Sequence, residues 1–338
     1  MKRFIKTLPL LIAVSLTACS KETFIEGTLF LFDTTVTYRI KNVRSSASNS
    51  EREFIRIIKN IDAISDSYKK RDITSVYDLN QTNEKVQISD DLYDLLSWSN
   101  EAQKIAPYYN PLVGSLSKLW KEALTKNEVL SDTTIQEELE KINNSELVIE
   151  ETEAGLFAQR IGEATIDLGA IAKGYAIDKC QEYLSSHSSG DYLINAGRSS
   201  ILLGENSEEK ANTFKGPNPY KGFYSVRVNE LSNKPSFYVV NSVISTSGVS
   251  EQGVKIGDAT YSHIVNPLTG SAISLYDTVI VVSYAGNYGN GALGDALSTS
   301  FMMSSLEEIK EAETNYGVKA IVIKDDTVIY KNADIELK

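Results

Sequence analysis

The stretch Thr165 to Lys179, TIDLGAIAKGYAIDK, changes its period halfway along, and that change decides how the rest of the chain is read. Thr165, Ile166, Asp167 and Leu168 have the character of a strand end, whereas Ala172, Ala176, Ile177, Cys180 and Leu184 recur at helical spacing. A strand entering a helix through Gly169 and Ala170 leaves the first N–H groups of the helix unpaired and aims a partial positive charge at whatever lies above them. Lys173 adds a full charge, and Gly174 permits close approach of a ligand or another backbone. A phosphate group suits such a place. A plain turn with a surface lysine would carry the same residues, so the other segments have to decide.

Before this stretch, Thr28 to Val43 alternates as a strand pair, and a loop follows at 45–50. Phe54, Ile57, Ile58, Ile61, Ile64 and Tyr68 trace one face of a long helix. A polar connector covers 75–81. Further helices are marked by Leu92, Leu95, Leu96, Ala102 and Ile105, by Leu112, Leu116, Leu119 and Trp120, and by Ile135, Leu139 and Ile142, the last starting near Ser131 or Asp132. Strands are expected at Leu147 to Ile149 and Gly155 to Arg160. After it come strands at Tyr192 to Asn195 and Ser200 to Leu203, a surface loop from Glu205 to Lys221, and an antiparallel meander at 223–228, 237–240 and 243–246. One more strand (Val279 to Val282), two helices and a hairpin turning at Asp325-Asp326 close the chain. Strands and helices arrive in blocks and not in strict alternation, which predicts an α+β fold of mixed, largely antiparallel sheets packed with helices. A two-lobed solute-binding lipoprotein would instead show two alternating βα halves.

The N-terminus reads as an export signal. Lys2, Arg3 and Lys6 precede an apolar run, Leu8 to Leu16, too short to span a bilayer, and small residues lead to Cys19 in the manner of a bacterial lipoprotein. We therefore expect a signal peptide at 1–18, lipidation of Cys19, a tether at 19–27 and one catalytic domain from 28 to 338, held at the membrane of the cell envelope and facing away from the cytoplasm. Loss of the three basic residues takes the formal charge of −11 to about −14, which excludes nucleic acid as a natural partner. With Cys19 lipidated only Cys180 remains, so no intrachain disulfide can form. Two histidines and no Cys/His cluster exclude zinc and copper, and leave a hard cation held by oxygen.

Two further stretches could carry chemistry. His263 lies in YSHIVNPLTG (261–270), read as an alternating strand followed by a turn, with Thr246, Ser247, Ser262 and Thr269 supplying hydroxyls around it. His187, in SSHSSG, reads as a solvated loop residue. In GNGALGDALSTSFMM (289–303) Asp295 and Thr299 are four apart and share a helix face, an oxygen pair that suits magnesium. An aspartate serving only the helix dipole would look the same, and its loss would cost about 0.3–1 kcal/mol. Tyr108 and Tyr109, inside APYYNP, form a rigid apolar edge that fits a core as well as a ligand platform.

Taken in order, DLGAIAKGYAID (167–178), NAG (195–197), TSG (246–248), HIVNPLTG (263–270) and DALSTS (295–300) resemble the ApbE family of FAD:protein FMN transferases, with weaker echoes at 66–80 and 110–120. The resemblance implies an ApbE-like fold and a Mg²⁺-dependent enzyme. Such an enzyme splits FAD and joins its FMN half by a phosphoester to a Thr or Ser of an exported flavoprotein, releasing AMP. It also implies roles: Ala170, Asp295 and Thr299 around Mg²⁺, His263 as base, and Lys173, Gly174, Ala170, Asn195, Gly197, Thr246, Ser247 and Gly248 around FAD, with Tyr108 and Tyr109 against one of its rings. The chain departs from the family pattern at Arg198, Ser199, Asn266 and Asn110. An FAD pyrophosphatase using water, or a flavin-binding lipoprotein without chemistry, would share most of these residues.

Overall fold

The computed structural model describes residues 24–42, 47–206, 222–249, 253–286 and 289–338. Cys19 and the signal lie outside them, as does most of the loop expected at 205–221. The chain opens with β1 (Phe24–Leu31) and β2 (Thr34–Asn42), joined by Phe32 and Asp33, both with positive φ, as a tight hairpin turn requires. Strand β1 thus begins inside the expected tether. Helix α1 (Ala47–Ser65) takes in residues expected to form a loop, and ends before Tyr68, which therefore does not belong to its apolar face. Helix α2 (Val76–Asn80) occupies the expected connector, its start held by the Ser75 N–H donating to Asp78 Oδ2 at 3.0 Å. Then follow β3 (Val86–Gln87), α3 (Asp90–Ile105, capped by Ser89), a 3₁₀ turn (Pro111–Val113), α4 (Gly114–Thr125) and α5 (Asp132–Asn143, capped by Ser131). Strands β4 (Glu146–Thr152) and β5 (Gly155–Ile161) join β3 in a small sheet of order β3-β5-β4.

Helix α6 (Ala172–His187) carries His187 in its last turn, not in a loop. Next come β6 (Ser188–Ala196), β7 (Ser200–Leu203), β8 (Tyr224–Arg227), β9 (Ser236–Val239), β10 (Ser242–Gly248), β11 (Val254–Ile256), β12 (Ala259–Tyr261) and β13 (Thr278–Tyr284). Helices α7 (Asn290–Phe301) and α8 (Leu306–Tyr316) and the hairpin β14 (Lys319–Lys324) and β15 (Thr327–Lys331) complete the chain. The expected meander splits: β8 and β9 pair only with each other, while β10 inserts between β7 and β13 in the main sheet. That sheet has eight strands in the order β1-β2-β6-β7-β10-β13-β14-β15, every pair antiparallel.

Period-two alternation explains why this sheet is buried on both sides. Val279 and Val281 of β13, with Val243 of β10 and Val322 of β14, join the large core under the helices. Ile280 and Val282, with Ile244, Ile321 and Ile323, face a second core shared with Phe237 and Val239 of β9. Helices α6 and α7 therefore lie on one face of the sheet, the β8–β9 hairpin on the other. Among the described residues no helix is long and apolar enough to cross a membrane.

Candidate active site

The expected strand at 165–168 is absent, and what replaces it shapes the site. The segment is extended but pairs with no strand, because its main-chain groups are taken elsewhere. Asn80 brackets Ile166, accepting its N–H at 2.7 Å and donating to its carbonyl at 2.9 Å. Gly114 N–H donates to Thr165 O, and Asp167 N–H to Pro111 O. Buried Arg160, upstream, donates to the carbonyls of Leu79, Thr82, Gly162 and Ala164. These bonds hold the approach to α6 so that Gly169, Ala170 and Lys173 open onto a cleft of about 760 Å³. Lys173 Nζ bonds Gly169 O at 3.3 Å.

The floor of the cleft is Asp295, on α7 and 6% exposed. Its carboxylate accepts from the Gly174 N–H at 2.7 Å, from Ser200 Oγ at 2.8 and 2.9 Å, and from Ser245 Oγ at 2.7 Å. Burial raises its pKa, against the opposing pull of Lys173 and these donors. All of its hydrogen-bond partners are uncharged. A buried carboxylate without an ion-pair partner attracts a cation, and the other oxygens that line the same cleft, including those of Thr299, Ser247 and Ala170, are hard donors that suit Mg²⁺. Ser247 Oγ lies 3.2 Å from Thr299 Oγ1 and 2.9 Å from Ser298 Oγ. Among the described residues no three His, Cys, Asp or Glu side chains converge, here or elsewhere, so the donors beside Asp295 are neutral oxygens.

His263 forms part of the wall. Strand β12 stops at Tyr261, so the histidine sits in irregular chain beyond it and not in the expected strand. That chain is fixed from outside: Trp120 stacks on Tyr261 with ring centroids 5.5 Å apart and donates from Nε1 to Gly270 O at 2.8 Å. Burial, with Lys121 and Lys173 nearby, pushes the imidazole pKa down to about 4, while Asp167 pulls weakly the other way. The ordinary value near 6.5 therefore does not apply: the ring is neutral at pH 7, and its buried Nδ1 has no partner.

Other expected site residues divide. Ala170, Lys173, Gly197, Thr246, Ser247, Gly248, Tyr108, Tyr109, Thr299 and His263 all line the cleft with Asp295. Gly174 and Asn195 do not. A Cβ on Gly174 would lie 2.0 Å from Gly291 O, so its bareness serves the crossing of α6 and α7 instead of a ligand. Asn195 Oδ1 accepts from the Arg198 N–H at 2.8 Å and shapes the turn in which Gly197 and Arg198 both have positive φ. Tyr109 is 5% exposed, its hydroxyl 2.8 Å from Ser99 Oγ in the core, so only part of its surface reaches the cleft. Tyr108 is half-buried. The departures Asn266 and Asn110 act as local caps, Asn266 Oδ1 accepting from Leu268 and Thr269 and Asn110 Oδ1 from Leu112, a task asparagine performs as well as aspartate.

Several residues were not expected. Ser200 and Ser245 hold Asp295. Tyr68 stands at the mouth, 47% exposed, with its hydroxyl donating to Asp167 Oδ2 at 3.1 Å and Lys121 Nζ 3.5 Å from it. Asp178, buried in α6, accepts from the N–H groups of Gly291 and Ala292, and burial pushes its pKa up to about 7. Its place in AKGYAID was visible, but nothing in the spacing showed that its partner would be the start of another helix.

Comparison with known proteins agrees with this architecture. The chain is 27% identical over 214 residues to the FAD:protein FMN transferase of Klebsiella pneumoniae, a match covering 62% of this chain and 63% of that protein, less than two thirds of its length. It is 23% identical over 327 residues to the Haemophilus influenzae protein of the same name, covering 93% and 91%. The crystal structure of the ApbE protein of Thermotoga maritima superposes with a TM-score of 0.72 at 20% identity, covering 92% of this chain and 97% of the other, and shows the same fold. The sequence model of the ApbE family matches residues 32–322, so that the segments meeting at the cleft, from the β1–β2 turn to α7, all fall within one match, and the chain belongs to the ApbE family.

Proposed function

We propose that this protein is a Mg²⁺-dependent FAD:protein FMN transferase of the cell envelope, with an exported flavoprotein as acceptor. The observation that carries the reading is Asp295: a buried carboxylate bound only by uncharged donors, in one cleft with a neutral histidine and a lysine. The activity named for the Klebsiella and Haemophilus relatives supports it.

Asp295, Thr299 and the carbonyl of Ala170 would hold Mg²⁺, which when bound neutralises the two phosphates of FAD. Lys173 and the start of α6 draw the same anionic group to the floor. His263, neutral at pH 7, accepts the proton of the acceptor Thr or Ser hydroxyl at a ring nitrogen. That oxygen bonds to the phosphorus of the FMN half as the bond to the other phosphate breaks, and AMP leaves as its phosphate. The low basicity of His263 favours the proton's departure afterwards, and the approach of an anionic substrate raises that basicity for the transfer itself. Gly197, Thr246, Gly248 and Tyr108 supply walls for the rest of FAD.

The test is to incubate the protein with FAD, Mg²⁺ and candidate exported flavoproteins and to weigh the acceptors. Covalent FMN on a Thr or Ser with AMP released supports transfer. Free FMN and AMP without a labelled acceptor would make it an FAD pyrophosphatase, and FAD bound but intact would make it a flavin-binding protein. For location, Cys19→Ser should free the protein from membranes with its specific activity unchanged, and persistence in the salt-washed membrane pellet would overturn the lipid anchor.

A further inference from the structure

Helices α6 and α7 both begin without a side-chain cap of their own. Ile171 and Gly289, the residues before them, bond none of the free N–H groups. Each helix is capped by a carboxylate from the other. Asp295, sixth in α7, accepts from the N–H of Gly174, third in α6, at 2.7 Å. Asp178, seventh in α6, accepts from the N–H groups of Gly291 and Ala292, second and third in α7, at 2.8 Å each. Between the two caps the backbones touch, since a Cβ on Gly174 would fall 2.0 Å from Gly291 O and one on Gly291 would fall 2.4 Å from Gly174 O. The two helix starts thus form a closed frame of three main-chain amides and two carbonyls bracketed by two aspartates.

We infer that Asp178 is a positioning residue for the cation site. The inference rests on the cation reading given above. Ala170 leads into α6 while Asp295 and Thr299 ride on α7, so the spacing of the proposed donors is the spacing of the two helices. Only Asp295 of the two caps reaches the cleft; Asp178 acts through the main chain of α7. If it moves, α7 loses the anchor of its first turn, one turn before Asp295, and Asp295 loses its alignment with Ala170. A cap that served stability alone would lower the melting temperature and leave cation affinity unchanged.

The experiment measures Mn²⁺ binding by electron paramagnetic resonance in the full mature chain and in Asp178→Asn and Asp178→Glu. Glu keeps the charge but displaces the carboxylate by one methylene, which separates position from electrostatics. Both variants should bind Mn²⁺ about 10- to 100-fold more weakly, the range for groups that orient metal ligands. FAD affinity without metal should be unchanged, and excess Mg²⁺ should restore the transfer rate. Parent-like Mn²⁺ affinity in the folded Glu variant would overturn the proposal, whatever its melting temperature. A parent protein that binds no Mn²⁺ would overturn the cation reading, and this inference with it. Hydrogen exchange in the unmodified protein gives a measurement that needs no variant: by linkage, Mg²⁺ should slow exchange of the Gly291 and Ala292 amides, and unchanged exchange at saturating Mg²⁺ would count against Asp178.

Discussion

Asp295 on the floor of the cleft has both carboxylate oxygens engaged, by Gly174, Ser200 and Ser245, whereas the buried Nδ1 of His263 on the wall has no partner. The floor is tied by polar bonds between elements distant in sequence. The wall is tied to the helices by an aromatic stack and an indole bond from Trp120 and folded on itself by short-range bonds such as Ser262 N–H to Ala272 O, and neither Trp120 contact is to the imidazole. A group that must keep a charge in place gains from every donor aimed at it. A group that must take up a proton has to keep a lone pair uncommitted.

The sharpest way to break this contrast is to remove each residue in turn. Asp295→Ala should abolish transfer at physiological Mg²⁺. It should also lower the unfolding free energy by about 3 kcal/mol, because three buried donors lose their acceptor. That exceeds what a residue serving only the helix dipole would cost, and a denaturant titration showing a loss under about 1 kcal/mol would return Asp295 to that lesser role. His263→Ala should slow transfer at saturating FAD by about 10²- to 10⁴-fold with little change in stability at pH 7. Weakened FAD binding with a normal saturated rate would mean that the histidine only binds flavin.

Acid sharpens the same contrast. His263 holds its proton less readily in the folded protein, at about 4, than in the unfolded chain near 6.5, so the unfolded chain gains protons first as pH falls and the fold loses stability between those values. Comparing the parent with His263→Gln across this window should isolate a loss on the order of 3 kcal/mol by pH 4. Equal slopes in the two proteins would show that the ring is not protected from protonation. Trp120→Phe keeps the stack and deletes the bond to Gly270, and should cost about 1 kcal/mol while slowing transfer more than it weakens FAD binding. The smallest effect is expected for Asn266→Asp, which keeps the acceptor for Leu268 and Thr269: under about 0.5 kcal/mol by thermal unfolding.

Elements whose burial follows one period were legible in the sequence. Helix α6, the capped α3 and α5, and β13 with its alternating faces all fall where their apolar residues place them. Segments whose main chain is satisfied by distant groups were not. The extended run at 165–168 has a strand's composition, but Asn80, Gly114 and Pro111 take its hydrogen bonds, and no local pattern announces partners that far away. Strand β10 parts from β9 for the same kind of reason, since the choice between pairing with β9 or with β7 and β13 is made by the sheet. In the site, Asp295, Thr299 and His263 could be named from residue type and resemblance. Ser200 and Ser245 could not, because a serine in a strand looks alike whether it meets water or a buried carboxylate.

The contact of Gly174 with Gly291 has a kinetic consequence. A crossing of backbone on backbone has no side chain to repack, so with both aspartate caps in place α6 and α7 move as one body. Admission of substrate and departure of product then fall to a part of the cleft outside this pair, the Tyr68 turn, held to Asp167 by one exposed hydrogen bond. If departure limits turnover, the steady-state rate should slow in viscous solvent and quicken in Tyr68→Phe, while single-turnover transfer stays the same in both.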